Sequence, residues 1–158
     1  MSPSPRPDQP ELTPATAAAV NPVLARHDLR LTSHRRAVLG ALEAAERPLT
    51  TDEIVARTGV PTSTVYRNLA ELAEVGVVAR IVGAAGGDRH ELAEQFSHRH
   101  HHHLVCESCG VVADFDPSSG LERLIAVELQ SLLAATGFEI SHHVFDAHGR
   151  CRDCRTSQ

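Results

Sequence analysis

Apolar positions recur at helical spacing through the first half of the chain and then give way to short alternating runs. Between Ala15 and Arg57 three helical segments are predicted. Ser33 is placed to cap one that carries Val38, Leu39 and Leu42. Thr50 with Glu53 three residues later forms a capping box for another, which Gly59 stops. V-P-T-S-T-V-Y-R-N-L-A-E-L-A-E-V-G then opens a further helix, with Val65, Leu69 and Leu72 on one face and Ser63, Arg67 and Glu74 elsewhere. Gly76 ends it, and the run Val77 to Val82, the G-A-A-G-G-D turn and R-H-E-L predict a hairpin. Two short helices joined by a Gly-containing turn and followed by a hairpin suggest a winged helix-turn-helix. Its second helix, beginning near Thr62, would enter a DNA major groove by its N-terminal residues.

The pattern changes at His100. Leu104 to Cys106 and Val111 to Phe115 read as strands around a C-x-x-C-G knuckle. Ser119 to Thr136 reads as an amphipathic helix carrying Leu121, Leu124, Ile125, Leu129, Leu132 and Leu133, and Phe138 to Phe145 as a strand. Residues 1–14 are Pro-rich and unpatterned, which predicts a disordered arm. The expected class is α+β: a winged-helix domain over residues 15–93 and a small α/β domain over residues 98–158.

Composition narrows this reading. A chain of 158 residues suits one ordinary domain or two small ones. It has no Trp and only four Phe, and small cores of this kind often need a staple such as a metal. Without a membrane-length apolar run or a signal-peptide pattern, the expectation is a soluble cytoplasmic protein with no membrane partner. The net charge of −5 argues against a wholesale nucleic-acid coat. From Thr16 to His90, however, nine Arg face eight acidic residues, so a local Arg-bearing face could meet phosphate.

Cys106, Cys109, Cys151 and Cys154 form two C-x-x-C pairs with none left over. In a chain without a secretion signal such pairs read first as zinc, and four thiolates match a closed structural site. A closed shell leaves no position for substrate. The pairs lie far apart in sequence, so the zinc would pin the end of the chain onto the first knuckle.

The stretch S-H-R-H-H-H-H-L-V-C-E-S-C-G, Ser97 to Gly110, is internal and runs straight into apolar chain, which a purification tag would not do. On extended chain His100 and His102 point to one side, and His101 and His103 to the other, so one run could feed two sites. Partners for the first pair are Glu122 and His143 or its neighbour His142. Glu122 also sits where a capping-box Glu would follow Ser119. For the second pair, Asp88, His90 and Glu91 lie just before the interdomain hinge. His27, His34, His98 and His148 read as ordinary histidines. Imidazole suits zinc, iron and nickel alike.

T-V-Y-R at 64–67, H-H-H-H-L-V-C-E-S-C-G at 100–110 and C-R-D-C at 151–154, in that order, resemble the ferric/zinc uptake regulator (Fur) family of metal-dependent repressors. L-R-L-T-S-H-R-R-A-V-L fits too, and the similarity spans about residues 20–155. It implies a homodimer held by the C-terminal domain. The N-terminal winged helix would bind AT-rich palindromic operator DNA when a divalent corepressor metal closes the molecule. By motif, Thr64, Tyr66 and Arg67 would read the major groove or its backbone, Arg30 the minor groove, and Arg35 the phosphate backbone. The four cysteines match the structural Zn2+ site, and His100, His102, Glu122 and His143 a sensory site. Glu91, His101 and His103 match a hinge site that His90 or Asp88 would complete. Pro48 and Leu49 stand where iron-type members often supply a His, Phe96 where zinc-type members often place a Cys, and Ala79 where they place an Asp. Four consecutive histidines lean towards the zinc-sensing branch, with Fe2+, Ni2+, Mn2+ or peroxide sensing as alternatives. A metal store or a metalloenzyme is the competing class. H-E-L at 90–92 is not H-E-x-x-H, and no nucleophile elbow or phosphate loop appears, so no enzyme is expected.

Overall fold

The computed structural model describes residues 10–83, 87–97 and 99–156. Most of the expected N-terminal arm, the centre of the hairpin turn and His98 lie outside the described residues. Four helices open the chain: α1 (Pro14–Arg26), α2 (Ser33–Glu43), α3 (Thr51–Thr58) and α4 (Thr62–Glu74), with β1 (Leu49–Thr50) between the second and third. The wing follows as β2 (Val78–Ile81) and β3 (Arg89–Leu92), and β1 joins it to give the sheet order β1-β3-β2. A short helix, α5 (Glu94–Ser97), leads to β4 (His102–Cys106), β5 (Val112–Phe115), α6 (Ser119–Thr136), β6 (Asp146–Gly149) and α7 (Arg152–Thr156). The second sheet runs β5-β4-β6, antiparallel between β4 and β5 and parallel between β4 and β6. No helix among the described residues is long and apolar enough to cross a membrane.

Local chemistry explains the helix boundaries. Thr50 and Glu53 make a reciprocal capping box, the Thr50 N–H donating to the Glu53 carboxylate at 2.8 Å. Gly59, at φ +67°, takes the left-handed conformation that ends α3. Gly40 is required for a different reason, because a Cβ there would meet the Pro10 carbonyl oxygen at 2.5 Å where the chain crosses α2.

Three expectations are corrected. Thr32, not Ser33, caps α2. It is the extended residue before the first helical turn, and its hydroxyl accepts from the Arg35 N–H at 3.3 Å. Ser118 likewise caps α6 by accepting from Leu121 N–H at 3.2 Å, which moves Glu122 one place beyond the capping-box position and frees its carboxylate. Only Asp146–Gly149 forms the last strand, in place of the expected Phe138 to Phe145 run. Pairing with β4 is parallel and in register His103↔Asp146. Residues upstream of Phe145 would therefore need β4 partners before His102, where β4 has not begun.

One large apolar core, including Val20, Leu24, Val38, Leu39, Ile54, Val65, Leu69 and Leu72, unites α1–α4 with the wing. The second sheet contributes Val105 and Val112 to a small cluster that Ile81 of the wing completes. α6 contributes no buried residue, and Leu124, Val127 and Leu132 are exposed along it. Arg89 joins the halves: its buried guanidinium donates from Nε to the Gly110 carbonyl of the knuckle at 2.8 Å.

Candidate metal centres

Register assembles the cysteine cluster. Cys106 ends β4, and pairing Cys106↔Gly149 carries the chain on so that Cys151 N–H donates to Cys106 Sγ at 3.3 Å. Cys109 lies on the knuckle turn closed by Gly110 at φ +70°, and Cys154 on α7. The four sulfurs lie within 4.8 Å of one another, and Cys109 Sγ is 3.8 Å from Cys151 Sγ. Tetrahedral zinc with Zn–S bonds of about 2.3 Å sets its sulfurs about 3.8 Å apart, so the donor set and its size fit that ion. The electrostatics point the same way. Backbone N–H groups of Cys151 and Cys109 hold the Cys106 thiol down at about 6, whereas hydrogen bonds to Cys151 and Cys109 push Cys154 up to about 12. The cage favours the Cys106 thiolate and resists that of Cys154, which a divalent cation would offset.

Strand alternation divides the four histidines. His100 and His102 join Glu122 and His143, and His101 and His103 join Glu91 and Asp114, each group with ligand atoms within 4.8 Å of one another. In the first group, Glu122 Oε1 lies 3.0 Å from His102 Nε2, and its Oε2 lies 3.2 Å from both His100 Nε2 and His143 Nε2. His100 and His143 Nε2 are buried without a hydrogen-bond partner, although a carboxylate stands beside them. That is the spacing of co-ligands around a shared centre, about 3.3 Å for bonds of about 2.0 Å, rather than of hydrogen-bonded pairs. His102 is fully buried and tilted against Phe145, ring centroids 3.8 Å apart. Its Nδ1 accepts from the Phe145 N–H at 3.4 Å, so ligation through Nε2 requires that weak contact to give way. His142 turns aside to Ser141 Oγ and does not join.

The second group bridges the halves of the molecule. Glu91 on β3 places its two oxygens 3.0 Å from His101 Nε2 and 3.3 Å from His103 Nε2. The outer nitrogens are held: His101 Nδ1 donates to the Arg99 carbonyl at 3.2 Å and His103 Nδ1 to Asp146 at 2.9 Å, leaving each Nε2 to face inward. Burial alone would lower the His103 pKa, but hydrogen bonds and charge from Glu91 and Asp146 raise it to about 9. Burial pushes Glu91 up, and the histidines more than reverse this, while burial leaves Asp114 raised.

Asp114 is the residue that sequence reasoning missed, and His90 does not join. Successive residues of β3 face opposite ways, so Glu91 reaches the histidines while His90 is buried on the other side and lowered in pKa by that burial. Asp88 pairs with Arg80 at 2.8 Å. The hairpin register brings Asp114 in: Val105↔Val112 pairing puts it opposite His103. A cavity of about 330 Å³, lined by Glu91, His101, Asp114, Arg47 and Phe96, opens beside the group, and no histidine of the N-terminal half lines it.

Of the residues expected to meet DNA, Tyr66 and Arg67 are exposed on α4, with Thr64 half-buried. Arg30 is exposed near the start of α2. Arg35 is differently placed. Its guanidinium is ion-paired with Glu71 of α4 and donates to the Arg30 carbonyl at 2.6 Å.

Residues 26–148 match the ferric uptake regulator family. The chain belongs to that family. The peroxide-responsive repressor PerR of Staphylococcus saprophyticus is 30% identical over 137 residues, covering 84% of this chain and 86% of the relative. The Helicobacter pylori Fur structure, described as having three functional metal-binding sites, superposes with a TM-score of 0.68 at 19% identity. It covers 95% of this chain and 98% of that one, and supports the fold. A zinc uptake regulator complexed with zinc and DNA is 25% identical, with a TM-score of 0.50 over 91% of this chain and 97% of its own. This Fur-family protein is a metal-responsive regulator, not an enzyme, with an N-terminal winged-helix half and a C-terminal α/β half.

Proposed function

We propose that this Fur-family protein is a homodimeric repressor that binds an AT-rich palindromic operator when a divalent corepressor, zinc, occupies its histidine sites. Residues 15–93 form the DNA-binding unit, and residues 98–158 the metal-binding and dimerisation unit. Cys106, Cys109, Cys151 and Cys154 hold a structural zinc. His100, His102, Glu122 and His143 form the sensory site, and Glu91, His101, His103 and Asp114 the hinge site. The observation that carries this reading is the division of the histidine run: one pair stays within the C-terminal half, and the other reaches Glu91 on the wing. A metal bound there supplies positive charge shared by β3 and β4, which favours the arrangement in which both elements reach it. Thr64, Tyr66 and Arg67 then meet the major groove, and Arg30 the minor groove. The exposed apolar residues of α6 support the dimer.

A second reading is favoured by the hinge donors. Two carboxylates beside two imidazoles make a harder set than three imidazoles and one carboxylate, which suits iron or manganese, and the matched PerR is peroxide-responsive. The experiment is to select duplexes from a random pool with protein loaded in turn with zinc, iron(II), nickel and manganese, and to measure their affinity in buffered series of each metal. Zinc activating at the lowest free concentration supports the first reading. Iron or manganese activating where zinc does not supports the second, and no metal dependence overturns both.

A further inference from the structure

The site of His100, His102, Glu122 and His143 takes every ligand from beyond the hinge. Taken alone, those ligands carry no information about where the DNA-binding unit lies. A single hydrogen bond alters this: His100 Nδ1 donates to Glu94 Oε1 at 2.9 Å, which leaves His100 Nε2 facing Glu122. Glu94 opens α5, and α5 is anchored in the N-terminal half. Phe96 is buried in the large core, and Gln95 Nε2 donates to the Gly76 carbonyl at 3.1 Å, just past the end of α4. α5 also contacts α1. Glu91, three residues earlier, belongs to the other histidine group. One short segment of the DNA-binding half therefore touches both sites.

We propose that Glu94 is a positioning residue that orients His100 and couples occupancy of this C-terminal site to the placement of α4; this rests on the repressor reading above. A carboxylate accepting Nδ1–H fixes the tautomer and ring plane of a ligating histidine, and such outer partners govern how well the ring binds. Because Glu94 travels with the DNA-binding half, the site reaches its best geometry only when α5 is docked against His100. Interactions available in one arrangement and not another are what link two sites, and the link is reciprocal: duplex binding also tightens metal at His100.

The test uses the full-length protein with its cysteine zinc retained, zinc as the metal, and a duplex selected by the zinc-loaded wild type. Duplex affinity is measured without added zinc and at saturating zinc for wild type, Glu94→Ala, Glu94→Gln, His100→Ala and the Glu94→Ala/His100→Ala double variant. Glu94→Ala is expected to weaken binding about fivefold. Glu94→Gln, which keeps an acceptor, recovers part of this, and the double variant is no weaker than His100→Ala. Wild-type affinity in both Glu94 variants, or losses that add in the double variant, overturns the proposal. A wild type indifferent to zinc overturns the repressor reading and this one with it. A zinc-responsive wild type alongside unaffected Glu94 variants removes this one alone.

Discussion

His103 is held between two carboxylates, its Nδ1 2.9 Å from Asp146 and its Nε2 3.3 Å from Glu91. Asp146 is its register partner on β6, whereas Glu91 comes from the wing. The strand that shapes the C-terminal sheet thereby aims a ring nitrogen at the other half of the molecule. Asp146→Ala should lower metal affinity at the hinge site by about 10–100-fold while leaving the cysteine zinc in place. Competition against a chelator of known affinity measures this, and an unchanged hinge affinity would show that Asp146 does not orient the ring.

The cysteine cluster should carry the C-terminal sheet. Among the described residues that sheet gives only Val105 and Val112 to an apolar cluster, shared with Ile81 of the wing, so binding energy there is folding energy. Cys109→Ser is expected to expose the amides of β4, β5 and β6 to hydrogen exchange while those of α2–α4 stay protected. Retained protection across all three strands in a zinc-free variant would refute this.

Arg67 and Arg35 should separate recognition from folding. Arg67 is exposed on α4, so Arg67→Ala should weaken duplex binding about tenfold with little change in Tm. Arg35 ties α2 to α4 through Glu71, so Arg35→Ala should lower Tm by about 5 °C. Calorimetry alongside binding isotherms distinguishes them.

One pH dependence follows from the capping box. The Arg47 guanidinium, hydrogen-bonded to Glu53, holds its carboxyl down at about 2 from an ordinary 4.5, with the Thr50 N–H adding to the effect. A lowered folded-state pKa gives stability that is complete above about 4.5 and disappears as pH falls through about 2. The Tm difference between wild type and Glu53→Gln should therefore be constant near neutrality and shrink between those limits. A gap that persists to pH 2 would assign the effect to something other than the Glu53 charge.

Much of the architecture was readable because it rests on local chemistry. Thr50 and Glu53, the Gly59 stop and the Val65/Leu69/Leu72 face each act within a few residues. Alternation likewise split the histidine run, and the structure brings the two pairs to different partners. What was hidden depended on pairing. Asp114 reaches His103 only through the hairpin register, and Arg35 meets Glu71 only once α2 packs on α4. The Ser118 cap, one residue before the expected one, decided whether Glu122 served the helix or the histidines. Glu94 has no signature in sequence, because its partner lies across the hinge.

The central claim is that metal at the histidine sites changes affinity for DNA. Its most direct test is the affinity for the selected duplex of protein that keeps its cysteine zinc, first stripped of other metal and then zinc-loaded. The account predicts binding about tenfold tighter, or more, on loading. Equal affinity in the two states, with zinc counted in the histidine sites, would contradict it.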